Sequence, residues 1–446
     1  MQSAVSRQPS AVRRQRRHRL RVLPTFLFYS SHLYPRPFPL KRCRLPPSGS
    51  SSSSCPLSSA PSNPKRQQFE VFSFLSSSRR SSLFLSARFY LCKTLGILLN
   101  CGASVATEAA GGLMWLPDYA FIASGTSRNL SLPGLLSTIS TLRSFQIGAH
   151  RRRKFCYLIP VFRGSRYLVR TTYFYGGING AGSPPVFDQI VDGTFWTVVN
   201  TTADYAAGAA SSYEGVFLAR GTKMRVCVAG NDYTDSDLFI NTVEMIVLEN
   251  SVYNATDFTK NALGLIARSR FGYDGAIVRY PDDRFDRYWL PYIGNFTVAQ
   301  NNHSVSVSGF WNLPPANVFD TALTSVGDNR LELQWPPISL PSSSYYIALY
   351  FADTSLGNSR TFDVFLNGYT FYDKLEVTPS GLTVFTSQWN LSGFTTITLL
   401  SGSILPPIIN AGEIFGILSL GQITATRDGR DAKLQILLYV VIEFFF

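Results

Sequence analysis

Residues that build most catalytic and metal sites are scarce in this sequence. Only four histidines occur among 446 residues, and the six cysteines form no C-x-x-C pair, which disfavours a zinc site. The sequence also contains no G-x-S-x-G nucleophile motif, no H-E-x-x-H metal motif and no glycine-rich phosphate loop. It therefore predicts a protein that is not an enzyme and that binds neither a metal nor a cofactor.

Acidic residues are nearly absent from residues 1–96, called the leader below. The leader contains 17 of the 41 Lys and Arg residues but only one of the 28 acidic residues, so the other 350 residues contain 24 basic and 27 acidic ones. The net charge of +13 thus comes from the leader. Because nucleic-acid binding needs a basic patch on the folded domain, we expect no nucleic-acid partner.

The leader is also rich in Arg, Ser and Pro, with a nearly pure serine run at 48–54. This composition is typical of a transit peptide or a disordered tail. A damaged signal peptide and untranslated sequence included by a gene model are further interpretations. The apolar run 82–100 contains Arg88 and Lys93, so it makes a poor signal-peptide core. We predict that the leader is disordered and forms no part of the fold.

Long apolar runs are lacking as well. The run at 434–446 has 13 residues and is interrupted by Glu443, whereas a membrane helix needs about 20. We expect residues 423–446 to be a linker-like tail that is cut short.

Short runs of aromatic and β-branched residues are abundant. Residues 167–175 (YLVRTTYFY) place large residues at period two, which is typical of a half-buried strand, and a Gly- and Pro-rich loop follows. No run within 97–252 has helical apolar periodicity over three turns. Short strands separated by turn signals favour an all-β fold, a β-sandwich or jelly roll.

The same order of motifs occurs twice. FDQIVDG at 187–193 corresponds to FDVFLNG at 362–368, and FINTVEM at 239–245 corresponds to IINAGEI at 408–414. The offsets of 175 and 169 residues indicate a duplicated domain and not a short-period solenoid. We predict a first copy at 97–252 and a second copy at 253–422. The pairs Asp192-Gly193 and Asn367-Gly368 predict type I′ hairpin turns.

Three cysteines lie in the first copy and none in the second. Cys101, Cys156 and Cys227 allow at most one disulfide within the copy and leave one free buried thiol. The sequence leaves the pairing open.

Two acidic clusters could carry chemistry. Paired carboxylates can hydrolyse glycosidic bonds, and carboxylates on flexible loops can ligate calcium. The clusters are Asp232-Asp235-Asp237 and Asp282-Asp283-Asp286. Because both lie in predicted turns, we favour the interpretation that they are solvated turn residues.

A series of ordered motifs resembles the plant malectin-like domain. The resemblance covers about residues 97–425 and rests on LLNCGAS, RKFCYLIP, YLVRTTYFYGG, PPVFDQIVDG, RYWLPY, SRTFDVFLNG and IINAGEIF. It implies two tandem malectin-type β-sandwiches, a module found in ectodomains of plant receptor-like kinases and receptor-like proteins. The leucine-rich repeats and kinase signature that follow in many such proteins are not present after Gly421.

The resemblance implies a non-catalytic extracellular recognition module. Its ligand would be a cell-wall carbohydrate or a secreted peptide, with a co-receptor as a further partner. The location would be secreted or cell-surface, with a membrane anchor if a longer form exists. A carbohydrate-active β-sandwich enzyme and a structural or partner-docking module without a small ligand are the alternatives.

Aromatic residues near strand ends are the candidate ligand-binding residues. In malectin itself such residues form the site for a glucose disaccharide, and flat apolar faces suit the C–H surfaces of sugars. The candidates are Tyr173, Tyr175, Tyr350, Trp289 and Tyr292. We favour the alternative that most of these rings fill the sandwich cores or the interface between the copies.

Glycosylation sequons are slightly enriched in the duplicated region. Chance predicts about four N-x-S/T sequons there, and the sequence has them at Asn129, Asn200, Asn254, Asn295, Asn302 and Asn390. The excess agrees with secretion.

Overall fold

The structure, a computed structural model, describes residues 96–148, 154–180, 182–325, 329–354 and 360–421 and a strand at 441–442. The described residues belong to one compact unit within 76–446. The predictions for the leader and for the tail at 423–446 fall almost entirely outside the described residues.

The first copy contains thirteen strands in its described residues. A six-residue helix, α1 (Thr202–Ala207), and two 3₁₀ turns (Ala110–Gly112 and Asp118–Ala120) accompany them. The strands are β1 (Gly96–Asn100), β2 (Thr107–Ala109), β3 (Leu113–Pro117), β4 (Thr126–Asn129), β5 (Thr141–Phe145), β6 (Lys154–Pro160), β7 (Arg166–Tyr173), β8 (Val186–Val191), β9 (Thr194–Asn200), β10 (Ala210–Leu218), β11 (Lys223–Gly230), β12 (Leu238–Ile240) and β13 (Thr242–Leu248).

The second copy contains twelve described strands and a 3₁₀ turn at Ala316–Phe319. The strands are β14 (Asn261–Phe271), β15 (Leu290–Tyr292), β16 (Thr297–Gln300), β17 (Thr321–Thr324), β18 (Arg330–Gln334), β19 (Leu340–Phe351), β20 (Arg360–Leu366), β21 (Tyr369–Val377), β22 (Leu382–Gly393), β23 (Thr396–Ser401), β24 (Ile408–Ile409) and β25 (Ala411–Ser419). A short strand, β26 (Val441–Ile442), pairs with the start of β10.

The two copies repeat one strand arrangement, and the all-β prediction is confirmed. The order β3-β1-β13-β7-β10 in the first copy matches β15-β14-β25-β19-β22 in the second. The four-stranded sheets β6-β11-β8-β9 and β18-β23-β20-β21 also match, as do the three-stranded sheets β12-β5-β4 and β24-β17-β16. This repeat supports our proposal that the copies divide near residue 252, in the turns between β13 and β14.

One buried asparagine holds the same position in each copy. The Asn241 side-chain oxygen accepts the Phe174 amide at 2.7 Å, and its amide group donates to the Thr141 carbonyl at 3.1 Å. In the second copy the Asn410 oxygen accepts the Ala352 amide at 2.7 Å, and its amide group donates to a backbone carbonyl of β17 at 3.0 Å. A buried amide is stable only when its polar atoms are paired, which accounts for the repeated Ile-Asn motif.

The two hairpin predictions are also confirmed. Asp192 and Gly193 have φ values of 45° and 85°, and Asn367 and Gly368 have 49° and 80°, as type I′ turns require. The side chains of Asp192 and Asn367 each accept a backbone amide of the neighbouring strand at 2.7 Å. Each turn is thereby tied to its sheet.

Within the part of the chain that the structure describes, one disulfide joins Cys156 and Cys227, which face each other on β6 and β11. Cys101 is a free, buried thiol. This confirms the predicted combination of one disulfide and one free cysteine and resolves the pairing that the sequence left open.

Of the three largest clusters of buried apolar residues, one lies almost entirely in the first copy, one lies in the second, and the third contains many residues of both. Two small clusters also lie in the first copy. The third cluster contains Leu168 and Val216 of the first copy together with Trp289 and Tyr350 of the second. The copies therefore share a buried apolar contact.

The copies also join edge to edge. β10 pairs antiparallel with β14 through Gly215 opposite Gly264 and Val216 opposite Leu263. The two large sheets thereby become one twelve-stranded sheet.

Candidate functional site

Four of the five candidate aromatic residues are buried. Tyr173, Tyr175, Trp289 and Tyr350 each expose 2% or less of their surface, and only Tyr292 is half-buried. These four rings are therefore not exposed platforms for a ligand. The interpretation that we favoured from the sequence, in which most of the rings fill the cores or the interface, applies to them. Their rings pack inside the cores, so a ligand could not stack on them.

The polar ends of these rings hold loops in place. The Tyr175 hydroxyl accepts the Asn179 amide at 3.1 Å and lies 2.9 Å from the Ser183 carbonyl, to which it donates. The Trp289 indole donates to Asp283 at 2.7 Å. The Tyr175 ring therefore anchors the loop after β7, and the Trp289 ring is joined to the side chain of Asp283.

The prediction of solvated turn acids is wrong for one cluster. Asp283 and Asp286 are 1% and 0% exposed, whereas their neighbour Asp282 is exposed. The physical reason is that arginines compensate both buried carboxylates: Arg287 contacts Asp283 at 2.8 Å, and Arg170 contacts Asp286 at 3.2 Å. A buried charge is stable only when it is paired in this way.

In the other acidic cluster Asp232 and Asp235 are exposed, as predicted, whereas Asp237 is half-buried and accepts the Ile147 amide at 3.3 Å. Among the residues that the structure describes, no group of three His, Cys, Asp or Glu side chains could hold a metal ion.

A network of buried ion pairs lies where the copies meet. Arg170 of β7 contacts Glu244 of β13 at 2.7 Å and Glu214 of β10 at 2.9 Å. Arg268 of β14 contacts the same Glu214 at 2.8 Å and Glu413 of β25 at 2.7 Å. Glu214 therefore bridges an arginine of the first copy and an arginine of the second.

The network sets the protonation of its carboxylates. Burial raises the pKa of Glu214, but Arg268 and Arg170 lower it more, so the net shift is downward. For Glu244 burial prevails over the attraction of Arg170, and the pKa is raised. Glu214 is therefore held as a carboxylate by both arginines.

Above this network a cleft of about 230 Å³ opens between the copies. The first copy contributes β7, β9 and β10, and the second contributes β14, β15, β19 and β25. Its lining includes Trp196, Leu265, Ile417 and Leu418 on the apolar side, and Arg170, Ser212, Glu214, Arg268 and Ser343 on the polar side. Convergence of apolar surface with a few polar groups is what small-ligand sites have in common.

Two glycines bring the walls of the cleft together. A Cβ atom on Gly215 would lie 2.9 Å from the Leu263 carbonyl oxygen and 3.0 Å from the Trp196 ring. A Cβ atom on Gly264 would lie 3.3 Å from the Trp196 indole nitrogen. The indole therefore packs across the point where the two strands pair, and it forms a wall of the cleft only because both positions lack a side chain.

One donor of a residue that lines this cleft has no acceptor among the described residues. Nη1 of Arg268 is buried without a hydrogen-bond partner among the described residues, although the other guanidinium nitrogens contact Glu214 and Glu413. An unsatisfied buried donor costs about 1–3 kcal/mol. A ligand oxygen placed at this point would remove that cost.

The sequence prediction missed this site because its residues come from distant segments. A signal was present, however: YEGVFL at 213–218 and NALGLIA at 261–267 each have a glycine inside an apolar strand. Glycine at such a position often marks close approach of another backbone, which is what Gly215 and Gly264 allow.

Comparison with known proteins places this fold in a family. The malectin-like domain family matches residues 99–417. A "Probable LRR receptor-like serine/threonine-protein kinase" of Arabidopsis thaliana is 29% identical over 354 residues, covering 74% of this chain and 38% of the relative. An uncharacterized Arabidopsis thaliana protein is 28% identical over 347 residues, covering 74% of this chain and 66% of that protein. The chain thus spans less than two thirds of either relative.

Solved structures have the same fold. The ANX2 ectodomain of Arabidopsis thaliana matches with a TM-score of 0.60 at 16% identity, covering 72% of this chain and 96% of that one. A chain from the structure of plant peptide RALF23 in complex with FER and LLG2 matches with a TM-score of 0.58 at 18% identity, covering 72% and 94%. Within the described residues, no helix is long and apolar enough to cross a membrane. The family match over most of the chain, the repeated sandwich topology and these structural neighbours establish that this chain belongs to the malectin-like family.

Proposed function

We propose that this chain is a non-catalytic extracellular recognition module that binds its ligand in the cleft between the two copies. The observation that carries the proposal concerns Arg268. This residue lines a largely apolar cleft, and its Nη1 is buried without a hydrogen-bond partner among the described residues. A rigid framework surrounds this cleft, because paired strands and buried ion pairs fix both of its walls.

The lining limits the chemistry of the ligand. Trp196, Leu265 and Leu418 offer apolar surface, while Arg268 offers a donor. A ligand group with an apolar face and an acceptor oxygen matches both the apolar surface and the donor. Peptide segments, through their carbonyl groups, and sugar rings have such groups. The volume of about 230 Å³ suits one such unit of a longer ligand, with the remainder outside the cleft.

The structural neighbours favour a peptide over a sugar. One of them was solved with the peptide RALF23 and with LLG2. By analogy with that complex, we propose that the primary ligand of this chain is a secreted peptide and that a co-receptor binds with it. A cell-wall carbohydrate is the second candidate, supported by the apolar lining that Leu265 and Leu418 form together with the edge of the largely buried Trp196 ring.

A hydrolytic function has less support. Glycosidases use two carboxyl groups facing a substrate, whereas Glu214, the carboxylate in the cleft, is engaged by Arg170 and Arg268. A paired carboxylate of lowered pKa is a poor general acid, because it holds no proton to donate at neutral pH.

An extracellular location agrees with the surface. Five of the six sequon asparagines, all except Asn200, are exposed, and Asn200 is half-buried. Attached glycans would therefore meet solvent. The family setting in receptor-like kinases supports a place at the cell surface.

The test is a pair of variants at the mouth of the cleft. Ser343 is exposed and lines the cleft, whereas the adjacent Ser342 is exposed and does not. The full chain, Ser343→Trp and Ser342→Trp are screened against a panel of synthetic secreted plant peptides and an array of plant cell-wall oligosaccharides. We expect Ser343→Trp to lose at least about tenfold in affinity, equal to about 1.4 kcal/mol, and Ser342→Trp to bind like the unmodified chain. Equal binding by all three proteins would place the ligand elsewhere.

A further inference from the structure

A second groove of about 350 Å³ lies on the first copy and shares no lining residue with the cleft. Its lining is formed by the end of β4 and the residues that follow, 128–132, and by Gly176 and Ile178 of the loop after β7. Leu130, Leu132 and Ile178 supply apolar surface, and Arg128, Asn129 and Ser131 supply polar groups.

The backbone fixes the shape of this groove. The Leu130 amide donates to the Ser140 carbonyl at 2.8 Å, which continues the pairing of β4 with β5. Gly176 has φ of 60°, and a Cβ atom on it would lie 2.6 Å from the Leu130 side chain. The loop after β7 therefore packs closely on Leu130, and close contacts hold both sides of the groove.

The apolar surface of the groove is only partly covered. Leu130 and Ile178 pack against the core of the first copy, but Leu132 leaves 47% of its surface exposed. Asn129, in the same groove, is exposed and begins the sequon Asn129-Leu130-Ser131. A glycan on Asn129 would thus start at the groove itself.

We propose that Asn129 carries an N-linked glycan and that its first N-acetylglucosamine lies in this groove against Leu132 and Ile178. Attachment joins Nδ2 of Asn129 to C1 of the sugar; the nitrogen loses one proton, and the lipid diphosphate of the donor oligosaccharide leaves. The C–H face of the sugar then covers apolar surface of both side chains and removes it from water. The tether removes most of the entropy cost of this contact, because the sugar is already held at the site.

The other sequons lie outside this groove. Asn254, Asn295, Asn302 and Asn390 are exposed, and none of them lines either this groove or the cleft. Asn200 is half-buried, and its side-chain oxygen accepts the Thr202 amide at 3.0 Å. Glycans at the four exposed positions therefore serve as internal references for a glycan that projects into solvent.

The experiment measures glycan release at each site. The full chain is secreted from plant cells behind a secretion signal, and a peptide-N-glycosidase is applied to the native and the denatured protein with site-resolved mass spectrometry. In the native protein we expect release at Asn129 to be at least about tenfold slower than at Asn254, which corresponds to about 1.4 kcal/mol. After denaturation the two rates should be equal. An unoccupied Asn129, or native release as fast as at Asn254, would overturn the proposal.

Two leucine variants test the contact itself. Leu132→Ser removes apolar surface from the groove and leaves the sequon intact, and Leu136→Ser changes a similarly exposed leucine, at 36%, that does not line the groove. Leu132→Ser should raise the release rate at Asn129 to that at Asn254, while Leu136→Ser should leave it slow. An unchanged rate in Leu132→Ser would show that the sugar does not lie there.

This inference rests on the extracellular location in the proposed function, and the outcomes separate the two. If none of the six sequons is occupied, both the location and the inference fail. If Asn254, Asn295 or Asn302 is occupied and Asn129 is not, the inference alone fails.

Discussion

Gly215 of β10 lies directly opposite Gly264 of β14 at the point where the two copies join into one sheet. The Trp196 ring packs across the pair. The junction between the copies thus depends on two positions without side chains, and the cleft opens beside them.

The first prediction concerns this pair. Gly215→Ala should destabilise the protein by about 1–3 kcal/mol, the usual cost of overpacking, because its Cβ would meet backbone at 2.9 Å. Gly264→Ala should cost less, since its closest contact is 3.3 Å. Gly182→Ala, where nothing lies within 4 Å, is the control for intrinsic glycine effects. Chemical denaturation measures all three, and equal costs at 215 and 182 would contradict the described junction.

The second prediction is a pH dependence. The pKa of Glu214 is lower in the folded state than in the unfolded state, because Arg268 and Arg170 outweigh burial. Its carboxylate therefore stabilises the fold above its unfolded pKa, which is about 4.3, and this contribution is lost as the pH falls through the folded value.

Glu214→Gln should thus cost about 3–5 kcal/mol at pH 7, as for other broken buried pairs, and the difference from the unmodified protein should shrink below about pH 4. The surface pair of Glu249 with Arg284 provides the control, since Glu249→Gln should change stability by less than about 1 kcal/mol. Urea denaturation from pH 7 to pH 3 measures both. A Glu214→Gln penalty that stays constant over this range would refute the assigned role.

The third prediction concerns Tyr175, which the sequence offered either as a platform or as a core residue. Tyr175→Ala should cost about 3–5 kcal/mol, as for other buried aromatics. Tyr175→Phe should cost about 1–3 kcal/mol, because it leaves the Asn179 amide without its acceptor. Hydrogen exchange at 176–183 should rise in Tyr175→Phe. If both variants keep full stability, the ring does not anchor the loop.

Local signals in the sequence predict much of this fold. Neighbouring residues determine the turn pairs at Asp192 and Asn367 and the repeated motifs around Asn241 and Asn410. The limit of one disulfide in the first copy follows from counting its cysteines. Physical rules for strands and turns therefore apply to these turns and motifs directly. The family resemblance, which rests on many such motifs in order, is confirmed for the same reason.

The site could not be predicted in this way, because its contacts are long-range. Arg170 and Asp286 are 116 residues apart. Without knowledge of such distant arginine partners, the acidic cluster at 282–286 is predicted to be a solvated turn. The role of a tyrosine at a strand end is likewise ambiguous from sequence. Loops often carry binding residues, but this rule does not distinguish a ring that binds a ligand from a ring that anchors the loop. The glycine at 264, inside an apolar strand, was the local clue to the cleft.

The measurement that tests the central claim most directly is hydrogen exchange of the full chain with and without a saturating peptide or oligosaccharide taken from the binding screen. If the ligand lies in the cleft, we expect slower exchange in β10 at 212–216 and in β25 at 416–418, and the effect should disappear in Ser343→Trp but persist in Ser342→Trp. Slower exchange confined to the loop at 176–183, with β10 and β25 unchanged, would contradict the claim that the cleft between the copies is the binding site.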